Sequence, residues 1–179
     1  VNAQIAALNT GKRRLRELHE KYGSSTVTDA IDRILQHGRR TAKEGVRDLP
    51  DGTWKAVDFL DNDGINDELV RMDVEVTVDG ESFTVDFSGS SGEVDGPVNL
   101  PYGMTETICK LVLKTLTTPD EPSNEGQYAP LSVIAPEGTL FHATYPAPTF
   151  TIWTGILGVE VVYKAVANGM PERVPAGSG

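Results

Sequence analysis

The sequence contains a single cysteine, Cys109, among its 179 residues. No disulfide can form within the chain, and that usage fits a reducing compartment. No run of about 18 apolar residues occurs, so nothing reads as a membrane-crossing helix, and no basic-then-apolar leader opens the chain. Histidine is scarce: His19 and His37 have no acidic or thiol neighbours at metal-ligand spacing, and His142 has no visible partner. Positive charge is in deficit. Sixteen Lys and Arg stand against 26 Asp and Glu, a net charge of −10 that argues against nucleic acid or an anionic membrane as the main partner. Ten of the sixteen basic residues lie within residues 1–47, so a basic helical lobe precedes an acidic, sheet-bearing one. A hydrophobic content of 39% is enough for one full core, or two small ones sharing a link. The expectation is a soluble cytoplasmic protein. Because no Met opens the chain and it closes on Pro175-Ala176-Gly177-Ser178-Gly179, the further expectation is a piece of a longer protein.

What is present is well patterned. Val1, Ile5, Leu8, Leu15, Leu18 and Tyr22 recur at helical spacing up to Gly23. Thr26 and Asp29 predict a capping arrangement for a second helix carrying Val27, Ile31, Ile34, Leu35, Gly38, Ala42 and Val46 on one side. The two helices predict an antiparallel hairpin over residues 1–49, ended by Pro50. Arg39, Arg40, Lys43 and Arg47 read as a solvated helix face or a surface for an acidic partner. A sheet-bearing region over residues 50–179 follows. Trp54–Leu60 reads as a strand, and Val70, Met72, Val74, Val76 and Val78 alternate with polar residues as a half-buried strand does. Asp79-Gly80 predicts a two-residue turn pairing Val78 with Glu81, Val76 with Phe83, Val74 with Val85 and Met72 with Phe87. From Met104 a helix is expected. Leu131–Ala135 and Thr139–Ala143 predict a second hairpin across Pro136-Glu137-Gly138, and Thr151–Asn168 a helix packed on more than one side, ended by Gly169 and Pro171.

Several constellations invite chemistry. Asp61-Asn62-Asp63-Gly64 has the look of a calcium loop, but the twelfth position is Met72 instead of Glu, and a turn is the reading kept. Ser88, Ser90 and Ser91 sit among Gly89, Gly92 and Gly96, yet neither the Gly-x-Ser-x-Gly elbow nor a phosphate loop with its Lys is present. The loop reads either as glycines allowing close backbone approach or as the lining of a pocket or interface. The expected register sets Asp73 opposite Asp86, a like-charge pair for Arg71 or a bound cation to neutralise. Cys109 reads as a small buried residue. Spacing alone yields no catalytic constellation, metal site or nucleotide loop.

The run Asp86-Phe87-Ser88-Gly89 through Gly96-Pro97-Val98-Asn99-Leu100-Pro101 resembles the hydantoinase B/oxoprolinase family. So do Pro122-Ser123-Asn124-Glu125-Gly126, Pro136-Glu137-Gly138-Thr139-Leu140, Pro146-Ala147-Pro148 and Pro171-Glu172-Arg173-Val174-Pro175, in the same order. The resemblance implies a carboxy-proximal part of an N-methylhydantoinase B-like subunit of an ATP-dependent hydrolase of cyclic amides. It implies a hetero-oligomer in which a hydantoinase A-like subunit or domain binds ATP and phosphorylates the substrate. A divalent metal held by the rest of the subunit would then activate the water that attacks. The ligating acidic and histidine positions of the family lie amino-terminal to the region matched, so none carries over and no cofactor is expected on this piece. His142-Ala143 departs from the Asn-Pro of many hydantoinase-like members, which leaves the ketone (acetone-type) carboxylase branch open.

The fold expected is α+β: a helical hairpin, then a mainly antiparallel sheet with two packed helices. Pocket or interface candidates are Ser88, Gly89, Asn99, Asn124, Glu125 and His142, with Asp73 and Asp86 as a weak metal pair. Two functions stay open: a piece that shapes the active site through the loops Gly89–Asn99 and Asn124–Gly126, or an assembly module that only docks subunits.

Overall fold

The computed structural model describes residues 1–175; the terminal residues on which the excised-piece expectation partly rests lie outside them. Two helices, α1 (Asn2–Tyr22) and α2 (Ser24–Arg47), lead into strands β1 (Gly52–Leu60), β2 (Val70–Asp79) and β3 (Ser82–Asp86). Helix α3 (Tyr102–Thr117), a 3-10 turn at Glu125–Tyr128, strand β4 (Leu131–Ile134) and helix α4 (Trp153–Ala167) follow. The sheet order is β1-β2-β3-β4, with β1, β2 and β3 antiparallel and β4 parallel to β3. A parallel neighbour needs a crossover connection, and α3 lies within it. The class is α+β, as expected.

The alternation in β2 does what period-2 patterning dictates. Met72, Val74, Val76 and Val78 are buried on one face with Phe83, Val85 and Phe87, and α3 and α4 cover that face through Ile108, Val112, Leu113, Val161, Val162 and Val166. Phe87 stacks on Phe141 with ring centroids 4.2 Å apart. On the opposite face the side chains are polar: Thr53 and Thr77 share a hydrogen bond of 3.0 Å, and Lys55 pairs with Glu75.

Four expectations are corrected. The β2–β3 turn is Gly80-Glu81, so Val78 faces Phe83 and Val76 faces Val85. An Asp79-Gly80 turn of type I′ would need a positive φ at Asp79, whereas Gly80 alone has one here, at 57°, and its amide donates to Asp51 Oδ1 at 2.8 Å. The shift is by two residues, so every apolar side chain keeps its face while the charged pairs change.

The second helix starts at once after Gly23. Val27 N–H donates to Gly23 O at 3.2 Å, which leaves Thr26 inside the first turn with no side-chain cap. The expected hairpin packing is also absent: α1 buries no residue, and α2 buries only Gly38, Ala42 and Val46.

Thr139–Ala143 does not form a hairpin with residues 131–135. Leu131–Ile134 pairs with β3 instead, and the Leu140 and Ala143 amides donate to Ser91 O and Leu100 O at 2.9 and 2.8 Å. Hydrogen bonding to the glycine-rich loop displaces the local pairing.

Candidate functional site

The loop that leaves β3 is held by side chains acting in place of a strand partner. The Ser90 hydroxyl accepts from Asp73 N–H at 3.0 Å and donates to Asp73 O at 2.9 Å, and Ser91 Oγ accepts from Arg71 N–H at 2.9 Å. Gly89 lies against Asp73: a Cβ there would stand 2.7 Å from its carboxyl carbon. Asn99, fully buried, closes the far end of the loop. Its Oδ1 accepts from Val94 N–H, and its Nδ2 donates to Val94 O, Gly96 O and Pro148 O at 2.8, 3.1 and 3.0 Å. One side chain thus ties this loop to the segment before α4.

Asp63 is the second clasp. Its carboxylate accepts from the amides of Ile65, Asn66 and Gly96 at 2.8, 2.6 and 3.1 Å, and from the Asn66 side chain at 3.2 Å. The amides of Asn66 and Ile65, followed by the other two donors and against the effect of burial, hold its carboxyl down to about 2. Glu93 is the third: it accepts from Thr144 N–H and Oγ1 at 2.5 and 2.8 Å, which lowers its carboxyl against the opposing desolvation.

The 61–66 loop separates two recesses. One, of about 300 Å³, is lined by Asp63, Asn66, Glu68, Ser91, Glu93 and Asp95. The other, of about 410 Å³, has an apolar side formed by Phe59, Pro97, Val98, Trp153 and Leu157 around Thr151, facing Asp61, Asn62 and Asp63. The buried Thr151 hydroxyl makes no hydrogen bond among the described residues. Among the described residues neither wall carries histidine, lysine or cysteine. The Ser91 hydroxyl accepts from the Arg71 amide and makes no hydrogen bond to a carboxylate among the described residues, so what the geometry offers at this end of the sheet is a place to bind and position a group.

The candidates from sequence are divided between two places. Ser88, Gly89 and Asn99 lie in this loop, and His142 lies in the segment bonded beside it, with Nδ1 2.8 Å from Ala135 O and its ring 4.8 Å from that of Tyr102. Asn124 and Glu125 are elsewhere. Phe83 N–H donates to Pro130 O at the start of β3 and Phe87 N–H to Ile134 O at its end, so residues before β4 and residues after β3 sit at opposite ends of a strand about 16 Å long. Asn124 caps the 3-10 turn against Gly38 of α2, and Glu125 pairs with Lys110 at 3.1 Å.

The expected opposition of Asp73 and Asp86 does not occur. Asp86 faces Glu75, with Lys55 across from Glu75 on β1, while Asp73 is neutralised by Arg71 at 2.5 Å. No three His, Cys, Asp or Glu side chains converge to hold a metal among the described residues. Sequence reasoning misses Asp63 and Glu93. For Asp63 the turn-forming Asn62-Asp63-Gly64 is a signal, but one that says nothing of burial, and Glu93 bonds to Thr144, 51 residues on.

The match to the hydantoinase B/oxoprolinase family runs over residues 1–179. The chain belongs to that family. It is 35% identical to an uncharacterised protein of Methanocaldococcus jannaschii over 99% of this chain and 31% of the other. To a protein named as the B component of a D-/L-hydantoinase from a Pseudomonas strain it is 34% identical, over 100% of this chain and 32% of the other. The crystal structure of the ATP-dependent caprolactamase of Pseudomonas jessenii superposes with a TM-score of 0.85 at 30% identity, covering 96% of this chain and 30% of that one. A nucleotide-free acetone carboxylase structure shares the fold alone, with a TM-score of 0.75 at 19% identity, over 91% of this chain and 24% of that one. The chain therefore spans about a third of the length of the Methanocaldococcus, hydantoinase and caprolactamase proteins it resembles.

Proposed function

We propose that this chain is part of a subunit of an ATP-dependent hydrolase of cyclic-amide C–N bonds, and that it serves as the rigid scaffold shaping the active site or the subunit interface. The observation that carries the reading is the loop Ser88–Leu100. It is a glycine-rich family motif pinned by Ser90, Ser91, Asn99 and Asp63 at one end of the sheet, beside two recesses. Functional groups supplied from elsewhere are best positioned by a loop of this kind, because its own conformation is over-determined. In this reading the reacting groups and the divalent metal belong to other parts of the subunit, ATP is bound by a hydantoinase A-like partner, and the complex works in the cytoplasm. The separation of Asn124 and Glu125 from the loop favours a docking role for the 3-10 turn, where α2 and α3 meet it.

The test uses the parent subunit with its ATP-binding partner and follows phosphate release with N-methylhydantoin, 5-oxoproline, ε-caprolactam, and acetone plus bicarbonate offered separately. Release stimulated by one cyclic amide, together with ring-opened product, is expected and names the substrate. Stimulation by the ketone alone places the protein with the carboxylases and overturns the hydrolase reading.

A further inference from the structure

Helix α1 extends over 21 residues and buries none of them. Leu8 is 74% exposed, Leu15 55% and Tyr22 52%. A helix gains most of its stability in water by burying an apolar face, so this one is incomplete by itself. Most of its apolar residues are ordered, although Gln4 takes the first d position and Ile5 lies beside it. Val1, Leu8, Leu15 and Tyr22 fall at every seventh position, and Gly11 and Leu18 fall three residues after Leu8 and Leu15, the a and d spacing of one strand of a coiled coil. Nothing lies within 4 Å of the place a Cβ would occupy at Gly11, so a second helix has room to come close there.

The positions that flank this stripe, e and g of the heptad, are Ile5 and Ala7 in the first heptad and Lys12, Arg14, His19 and Lys21 in the next two, with no carboxylate among them. Glu17, which holds Arg13 and Arg14 at 3.2 and 2.9 Å, lies at an outer position. Flanking charges choose the partner in a helix pair, and here they exclude a like helix: two α1 stripes face to face would set cations against cations. Nor do the other exposed apolar helix positions of a second copy offer the carboxylates that would match: on α2 the exposed Ile31 and Ile34 are flanked by Thr28, Ala30, Leu35 and His37. On α3 the exposed Leu111 is bordered by Lys110 and Lys114, and on α4 the exposed Trp153 and Ile156 lie in the first turn only.

We propose that the α1 stripe is one half of a heterotypic helix pair, and that the other half is a protein helix with apolar residues at heptad spacing flanked by Glu or Asp. The proposal is independent of which ring, if any, the parent enzyme opens.

Two labelled synthetic helices of about four heptads serve as probes, both with Leu at a and d, one with Glu and one with Lys at e and g. Each is titrated with the chain by fluorescence anisotropy, and the mass of the chain alone is measured in solution. The Glu probe is expected to bind at least about tenfold more tightly at low salt, with the gap closing as the screening length falls from about 10 Å at 0.1 M to about 3 Å at 1 M. Leu8→Asp with Leu15→Asp abolishes that binding, and an unchanged unfolding transition shows that the body is intact. Lys12→Glu, Arg14→Glu and Lys21→Glu together reverse the preference toward the Lys probe. Equal binding of the two probes, no binding of either, or a preference that survives the Leu8 and Leu15 changes overturns the proposal. A dimer of the chain alone that those two changes dissolve overturns it in favour of a second copy.

Discussion

Gly96 shows how much one hydrogen atom can matter. A Cβ at this position would stand 1.7 Å from Asp63 O, a backbone atom that cannot step aside without breaking the Asp63 clasp. Gly96→Ala is expected to destabilise the protein by about 2–3 kcal/mol in denaturant unfolding, the range of an overpacked core. Gly11→Ala meets open space inside α1 and should instead raise helicity, by about 0.5–1 kcal/mol, read by circular dichroism. Asp63 itself ties stability to pH. Its carboxyl has an ordinary value of 3.8 and is held near 2 in the fold, so its contribution is complete above pH 3.8 and is lost as pH falls toward 2. Asp63→Asn should therefore flatten the stability–pH curve of acid unfolding across that window while leaving its slope near neutrality unchanged.

Loops and strands bring in constraints that no single residue shows. Asn99 joins the glycine-rich loop to the segment before α4 through one buried amide, and Asn99→Ala leaves Val94 N–H and three carbonyls short of a partner. The expected cost is about 2–3 kcal/mol, with faster amide exchange confined to residues 93–100 and 146–151. If exchange rises evenly over the whole chain instead, Asn99 is not the local tie described here. Alternation in β2 makes the core face of the sheet legible from the residue pattern alone, because a strand has only two faces. The pairing partner across the hairpin is not legible in the same way, because the choice between Asp79-Gly80 and Gly80-Glu81 depends on which residue must take a positive φ. That two-residue shift spares the core and sets Asp86 across from Glu75 instead of Asp73, which is why the apolar reading holds and the expected opposition of the two aspartates does not.

At the scale of the whole molecule, the body and α1 are separable. Removing residues 1–22 deletes no buried side chain, so the melting temperature of the remainder should stay within about 2 °C of the full chain; a drop of about 10 °C would mean that α1 supports the core. Helical periodicity announces both amino-terminal helices, but not that α1 lies open. Spacing shows that a face is apolar and is silent on what covers it.

Composition and pattern by themselves determined the α+β class, the strand faces, the split between a basic helical lobe and an acidic sheet, and, through ordered motifs, the family. Those properties depend on neighbours within a few residues or on the chain as a list. Only the tertiary structure decided that Leu131–Ile134 joins β3 in parallel, that Asp63 and Asn99 are the clasps of the family loop, and that Asn124–Gly126 lies at the far end of the strand from that loop. Each depends on partners 30 or more residues away, as with Gly96 on Asp63 and Pro148 on Asn99, which no pattern of neighbouring residues reveals, while a buried polar group left without such a partner is costly.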